Sequence, residues 1–97
     1  MNLAYLSIGS NICPQNNLPR AVSMLENYGS IMISSSVWET IALGDMEQPN
    51  YLNASVILET NLTAKDLYDD GIKYIENILG RKKSNNPFAS RTIDIDI

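Results

Sequence analysis

The chain has 97 residues, 44% of them hydrophobic and 19% charged, with no histidine, one cysteine and a formal net charge of −4. That is an ordinary globular mix and length for one small domain over residues 1–97. Without histidine there is no Ser-His-Asp or Cys-His catalysis and no histidine-based zinc site; the negative charge argues against a general nucleic-acid binder, and lone Cys13 cannot form an internal disulfide.

The N-terminal residues Met1 to Tyr5 show neither a basic stretch nor a long apolar run, so no signal peptide or membrane span is expected, and a cytoplasmic setting is. Leu3 to Ile8 reads as a buried first strand ending in the turn cluster Gly9-Ser10-Asn11. From Asn17 to Tyr28, Leu18, Ala21, Val22, Leu25 and Tyr28 recur at helical spacing, with Pro19 in the first turn and Gly29 as the stop. Ile31 to Val37 is β-branched enough for a second strand, and Trp38 to Asn50, with Gly44 and Pro49, reads as the longest loop. Tyr51 to Thr60 alternates as a third strand, with Leu52, Ala54, Val56 and Leu58 on one face and Tyr51, Asn53 and Ser55 on the other.

The second helix carries the strongest signals. Thr63 is an N-cap with Asp66 in the capping-box position, and Leu62 can staple onto Leu67. Leu67, Gly71, Ile75, Ile78 and Leu79 form its buried stripe, and Gly80 ends it. Arg81 to Ser90 is a polar loop with Phe88 as its one aromatic, suited to a lid that orders on phosphate.

The last seven residues, Arg91-Thr92-Ile93-Asp94-Ile95-Asp96-Ile97, alternate strictly. Ile93, Ile95 and Ile97 therefore face a core, while Thr92, Asp94 and Asp96 share the other face. Two carboxylates two residues apart on a strand lie roughly 6.6 Å apart along it. They are either a solvated polar face or ligands for hard cations, which would relieve their repulsion. Four of the seven basic residues, Arg81, Lys82, Lys83 and Arg91, fall in the last seventeen positions, a grouping that suits a polyphosphate with its Mg²⁺ better than a duplex.

The element order is β-α-β-β-α-β. It implies an α+β, ferredoxin-like fold with a four-stranded antiparallel sheet, two helices on one face and the other face open. Thr92, Asp94, Asp96, Tyr51 and Asn53, with Ser34 and Ser36, are candidates for that open face. Such a fold serves many functions, so the residues on it must supply the chemistry.

Gly9-Ser10-Asn11, Pro49-x-Tyr51-Leu52-Asn53-Ala54, Glu76, Gly80-Arg81 and Arg91-Thr92-Ile93-Asp94-Ile95-Asp96 occur in this order. Together they resemble the 6-hydroxymethyl-7,8-dihydropterin pyrophosphokinase family of folate biosynthesis, over essentially the whole chain. The resemblance implies a transferase that moves diphosphate from ATP to the hydroxymethyl group of the pterin, with two Mg²⁺ ions held by Asp94 and Asp96 across the ATP triphosphate. It implies that Asn53 reads the pterin ring, with Tyr51, Thr40, Leu43 and Phe88 around it. It places Lys73, Glu76, Arg91 and Ile97 at the nucleotide, and Arg81, Lys83 and Arg91 as the cations of the reaction. The expected partners are these small molecules, with no nucleic acid and no membrane, and the expected state is a monomer or weak dimer.

Elementary chemistry agrees with those roles. Phosphoryl-type transfer needs positioning and charge neutralisation more than acid–base groups. An amide offers a heterocycle both a donor and an acceptor. Read without the motif, Asn53 is an exposed polar residue, and Arg81-Lys82-Lys83 is a favourable pairing with a helix C-terminus. The chain also departs from the family pattern: Lys83 stands where arginine is usual, Phe88 where tryptophan is usual, Ser90 where proline is usual, and Ile41-Ala42 where a second proline is expected. Members of the family run on well beyond the Asp-x-Asp strand, and this chain stops at Ile97, as a fragment or as a shortened relative. A second reading therefore stands beside the transferase: a pterin- or nucleotide-binding or assembly module on the same fold, without turnover.

Overall fold

Alternation in the first strand, β1 (Asn2–Ser10), buries Leu6, Ile8 and Ser10 on one face and leaves Leu3 and Tyr5 exposed on the other. The computed structural model describes residues 1–42, 48–82 and 90–97. The remaining strands are β2 (Ser30–Ser34), β3 (Trp38–Thr40), β4 (Tyr51–Thr60) and β5 (Asp94–Asp96), and all pairings are antiparallel. β4 lies against β1 from Asn2↔Thr60 to Ser10↔Leu52, and β5 pairs with Ser7 to Gly9 on the far side of β1. The spatial order is β2-β4-β1-β5, with β3 also on β4.

Five strands stand where four were expected. The strand read over Ile31 to Val37 ends at Ser34, and a further strand, β3, forms over Trp38–Thr40, which was read as loop. β2 pairs with the Val56 to Glu59 part of β4, and β3 with Tyr51 to Asn53. Between them the Ser35 hydroxyl takes a ladder donor: Ser55 N–H donates to Ser35 Oγ at 2.8 Å, and Ser35 Oγ–H donates to the Ser36 carbonyl at 2.8 Å. A register shift between Ile31 and Ile33 leaves Met32 exposed. Ser34 pairs with Val56 and so takes the core side of the sheet, not the open side.

The first helix, α1 (Pro14–Leu25), begins three residues before the expected start. Pro14 occupies its first turn, and the Cys13 carbonyl accepts from Asn16 and Asn17 N–H. Pro19 consequently lies inside the helix, where it lacks an N–H to donate. Leu18, Ala21 and Leu25 are buried against the sheet.

Thr63 caps the second helical stretch as expected, its Oγ accepting from Asp66 N–H at 3.2 Å. The stretch is not uniform: α2 (Ala64–Asp66) leads into a π-helical segment (Leu67–Ile72) and then α3 (Lys73–Ile78). The wider turn shifts the apolar stripe. Leu67, Gly71, Ile72, Ile75 and Leu79 are inside, whereas Ile78, expected in the stripe, is exposed. The core joins these residues to Leu6, Ile8, Ala54, Val56 and Leu58 of the sheet and to Ile93 and Ile95. Ile97 departs from the alternation and is 53% exposed, because β5 ends at Asp96 and no pairing carries the strand further.

Candidate functional site

Strand register assembles the polar face. Gly9 of β1 pairs on one side with Asn53 and on the other with Asp94; one step along, Ser7 pairs with Ser55 and with Asp96. Residues in register share a face, so Asp94, Gly9 and Asn53 form one row and Asp96, Ser7 and Ser55 the next. Gly9 has no side chain to stand between its neighbours. A Cβ there would lie 3.1 Å from Asn53 Oδ1 and 3.5 Å from the Tyr51 ring, so the missing methyl is what lets both side chains lean over β1.

β3 supplies the next neighbours in this row. Trp38 pairs with Asn53 and Thr40 with Tyr51. Asn53 Nδ2 donates to Thr40 Oγ1 at 3.0 Å and to the Trp38 carbonyl at 3.3 Å, which turns its amide oxygen toward β1. Three residues expected around a heterocycle, Thr40, Tyr51 and Asn53, are therefore adjacent. Leu43, Lys83 and Phe88, the other residues expected at the site, lie outside the described residues, as does most of the loop expected to order on phosphate.

The charged half of the site hangs on the end of α3. Gly80, at φ +84°, lets the chain turn back: Gly80 N–H donates to the Asn77 carbonyl and Arg81 N–H to the Glu76 carbonyl. This cap aims the Arg81 side chain at the strand. Its Nη1 bonds Glu76 Oε2 and reaches Asp94 Oδ1 at 3.1 Å. Arg91 Nη1 meets the other Asp94 oxygen, Oδ2, at 3.1 Å. Glu76 Oε2 also accepts from Ile95 N–H at 3.2 Å, so one glutamate ties the helix end to β5.

Electrostatics follow from this packing. Burial pushes the Glu76 carboxyl above its ordinary pKa, against the pull of Arg81 and the Ile95 N–H. Partial burial and then the Asp94 charge raise Asp96. Burial raises Tyr51, whose surroundings include the charges of Arg91, Asp94 and Arg81. The amide–hydroxyl row of Asn53 and Thr40 and the charged cluster thus meet at Tyr51.

Other expected residues fall elsewhere. Lys73, one turn before Glu76, is exposed, and among the described residues no hydrogen bond or ion pair joins it to the Arg81–Asp94 cluster. Ile97 is exposed beyond β5 and touches a nucleotide only if that ligand reaches the strand end. Thr92 lies before β5, and its Oγ1 is buried with no hydrogen-bond partner among the described residues.

Asn11 entered the sequence reading only as a turn residue and as part of the Gly9-Ser10-Asn11 motif, with no site role, yet it is 1% exposed and bonded to both the Gln48–Pro49 and the Ser90–Arg91 segments. A polar residue directly after a strand is common, so nothing in the sequence alone marked it as central. The Glu76–Arg81 contact was foreshadowed by their five-residue spacing across Gly80, but its target, Asp94, needed the fold.

For metal binding the donor chemistry fits. Asp94 and Asp96 present carboxylate oxygens on one face, the ligand type of Mg²⁺. Among the described residues no group of three or more acidic, histidine or cysteine side chains converges. A cation here would complete its shell with water and ligand oxygens, as Mg²⁺ does with phosphates.

The fold and site define an α+β protein whose antiparallel sheet sets a ring-sized polar patch beside paired carboxylates and arginines, a layout suited to phosphate-bearing ligands. The chain belongs to the 7,8-dihydro-6-hydroxymethylpterin-pyrophosphokinase (HPPK) family, whose model matches residues 5–97. It is 36% identical over 101 residues to the 2-amino-4-hydroxy-6-hydroxymethyldihydropteridine pyrophosphokinase of Haemophilus influenzae, covering 100% of this chain and 61% of that protein. It is 34% identical over 99 residues to the Bacillus subtilis protein of the same name, covering 99% of this chain and 58% of the relative. For the Aquifex aeolicus protein the identity is 35% over 98 residues, covering 100% and 60%. The chain thus spans about three fifths of the length of these relatives.

Proposed function

We propose that this chain carries the core of a site that transfers the β,γ-diphosphate of ATP to 6-hydroxymethyl-7,8-dihydropterin, with Mg²⁺, in folate biosynthesis. The observation that carries it is the row Asp94–Gly9–Asn53, which sets a metal-type carboxylate and a ring-reading amide on one face with only a glycine between them. Two strand spacings, about 10 Å, separate the outer members of that row, room for a hydroxymethyl group and the phosphate it attacks.

Each residue then has a task. Asn53 has committed its N–H groups to Thr40 and Trp38, so its Oδ1 is the atom that accepts from the pterin ring, with Tyr51 as an aromatic neighbour. The hydroxymethyl oxygen bonds to the β-phosphorus, the bond from that phosphorus to the α-phosphate oxygen breaks, AMP leaves, and the hydroxyl proton passes to water. Asp94 and Asp96 hold the cations, two in this reading, which when bound neutralise phosphate charge. Arg81 and Arg91, which pair with Asp94 in the free chain, would be available to phosphate oxygens were that carboxylate to hold a cation. By family resemblance Lys73 and Ile97 remain nucleotide-side assignments, Lys83 a cation of the reaction beside Arg81 and Arg91, and Leu43 and Phe88 pterin-side ones.

The strand order, with β2 and β3 counted as one interrupted edge strand, supports the ferredoxin-like reading. A single small-molecule-binding unit, monomeric or weakly dimeric and cytoplasmic, completes the proposal. The second reading is a pterin- or nucleotide-binding or assembly module on the same fold, without turnover. One experiment separates the two. The chain is titrated with 6-hydroxymethylpterin and with a non-hydrolysable ATP analogue, with and without Mg²⁺, and AMP formation from ATP and the dihydropterin is then followed. Binding of both ligands with AMP release supports the transferase, binding without AMP supports the module, and failure to bind either ligand rejects both.

A further inference from the structure

Asn11 lies two residues beyond Gly9, buried, at the point where two separate loops return to the sheet. Its Nδ2 donates to Gln48 Oε1 at 3.1 Å and to the Pro49 carbonyl at 3.2 Å, with Ser90 Oγ at the limit of 3.5 Å. Its Oδ1 accepts from Arg91 N–H at 2.8 Å. The backbone N–H groups of Asn11 and Ile12 both donate to the Arg91 carbonyl, at 3.1 and 3.3 Å. The peptide groups on both sides of Arg91 are thus held by this one turn. The amide orientation is forced, since a flipped Asn11 would set its NH₂ against Arg91 N–H and its oxygen against the Pro49 carbonyl.

We propose that Asn11 is a positioning residue that fixes the pterin side of the site relative to its phosphate side. Pro49 leads directly into Tyr51 and Asn53, and Arg91 leads into Asp94, whose Oδ2 it pairs with at 3.1 Å. One planar amide, giving hydrogens to one loop and an oxygen to the other, sets the distance between them. Serine is too short to span both loops, and aspartate supplies the oxygen without the hydrogens. The inference rests on the functional reading above only for which ligand binds which side; the clamp itself is a property of the free protein.

Two substitutions and two readouts test it, in the full chain labelled with ¹⁵N. Asn11→Asp keeps the acceptor for Arg91 N–H and faces the Pro49 carbonyl with no proton to give; Asn11→Ala removes both contacts. The first readout is the backbone amide spectrum without ligand. The expected result is that Asn11→Asp displaces the Gln48 and Tyr51 signals and spares Arg91, while Asn11→Ala displaces all three. The second is affinity. Asn11→Asp is expected to weaken 6-hydroxymethylpterin about tenfold, the effect of one lost buried hydrogen bond, while Mg²⁺ with the ATP analogue stays within about threefold; Asn11→Ala weakens both. A merely structural role would lower the melting temperature and weaken both ligands together in each variant, and that pattern overturns the proposal. So do unmoved amide signals in both variants. If the unsubstituted chain binds neither ligand, the functional reading fails, while the spectra still decide the clamp.

Discussion

Arg81 Nη1 lies 3.1 Å from Asp94 Oδ1, joining the residue that follows the α3 cap to the first residue of β5. With Arg91 on the other oxygen, Asp94 is the most heavily paired carboxylate of the site, while Asp96 on the same face takes part in no ion pair among the described residues. Their shared strand face had implied equivalence. The structure separates them.

Asp94→Asn and Asp96→Asn should therefore differ. Both are expected to weaken the Mg²⁺-dependent part of nucleotide binding by about tenfold or more, since each removes a charged oxygen ligand from a hard cation. Only Asp94→Asn should also destabilise the free chain, and by no more than about 1 kcal/mol, because its ion pairs are partly solvated. Calorimetric titration with and without Mg²⁺, beside chemical denaturation, reads both quantities. Equal stability of the two variants would show that the arginine contacts contribute nothing.

Gly9→Ala probes the open row. The strand geometry accepts alanine, so the fold should hold within about 1 kcal/mol. The added Cβ, 3.1 Å from Asn53 Oδ1, must displace that amide oxygen, the acceptor assigned to the pterin. Pterin affinity is expected to fall about tenfold, one hydrogen bond's worth, with Mg²⁺–nucleotide binding little changed. Fluorescence titration of the pterin checks this. An unaltered affinity would mean that Asn53 is not the ring-reading residue.

Much of this architecture was legible in the chain. The period-2 pattern of Leu52, Ala54, Val56 and Leu58 located β4 and the face of Asn53, and Thr63 with Gly80 bracketed the second helical stretch. Three things escaped. At the break between β2 and β3 the Ser35 hydroxyl, not a backbone carbonyl, accepts the Ser55 N–H, which residue-type preferences do not reveal. The π-helical segment moved Ile72 inward and Ile78 outward, because a single wide turn shifts every later residue around the helix axis. The bridge from Arg81 to Asp94 joins residues from different elements, so local periodicity carries no sign of it. In the site, the motif residues were found and their mutual contacts were not, Asn11 above all.

Glu76 gives a pH signature. Its folded-state pKa is raised chiefly by burial, so the folded chain holds its proton more tightly than the unfolded chain. The sign follows: this contribution to stability is fully present below the unfolded value, about 4.3, and is lost as pH rises through the higher folded value. Glu76→Gln removes the titration and keeps an oxygen for Ile95 N–H. The melting temperature of the unsubstituted chain minus that of Glu76→Gln should therefore increase on acidification from pH 7 toward pH 4. A flat difference across that range would contradict the burial argument.

Gly80→Ala tests whether the helix cap places Arg81, one of the cations proposed for the reaction. Gly80 sits at φ +84°, a conformation that costs an L-residue about 1–2 kcal/mol. A Cβ there meets nothing within 4 Å, so the strain is purely conformational and is not confused with a packing clash. If the chain keeps the cap, stability falls by about that amount and nucleotide binding is preserved. If the strain opens the cap, the bond from Arg81 N–H to the Glu76 carbonyl goes first, and the Arg81 side chain leaves both Glu76 and Asp94. The second course is expected, because the hydrogen bonds that hold the cap lie at a solvated helix end, where each contributes on the order of 1 kcal/mol. Nucleotide affinity should then fall about as far as in Arg81→Ala, and adding Arg81→Ala to Gly80→Ala should lower it little more, the non-additivity of residues that act through one contact. Denaturation and nucleotide titration of the two single variants and the double variant complete the cycle. Additive losses in affinity would show that the cap and the arginine act independently.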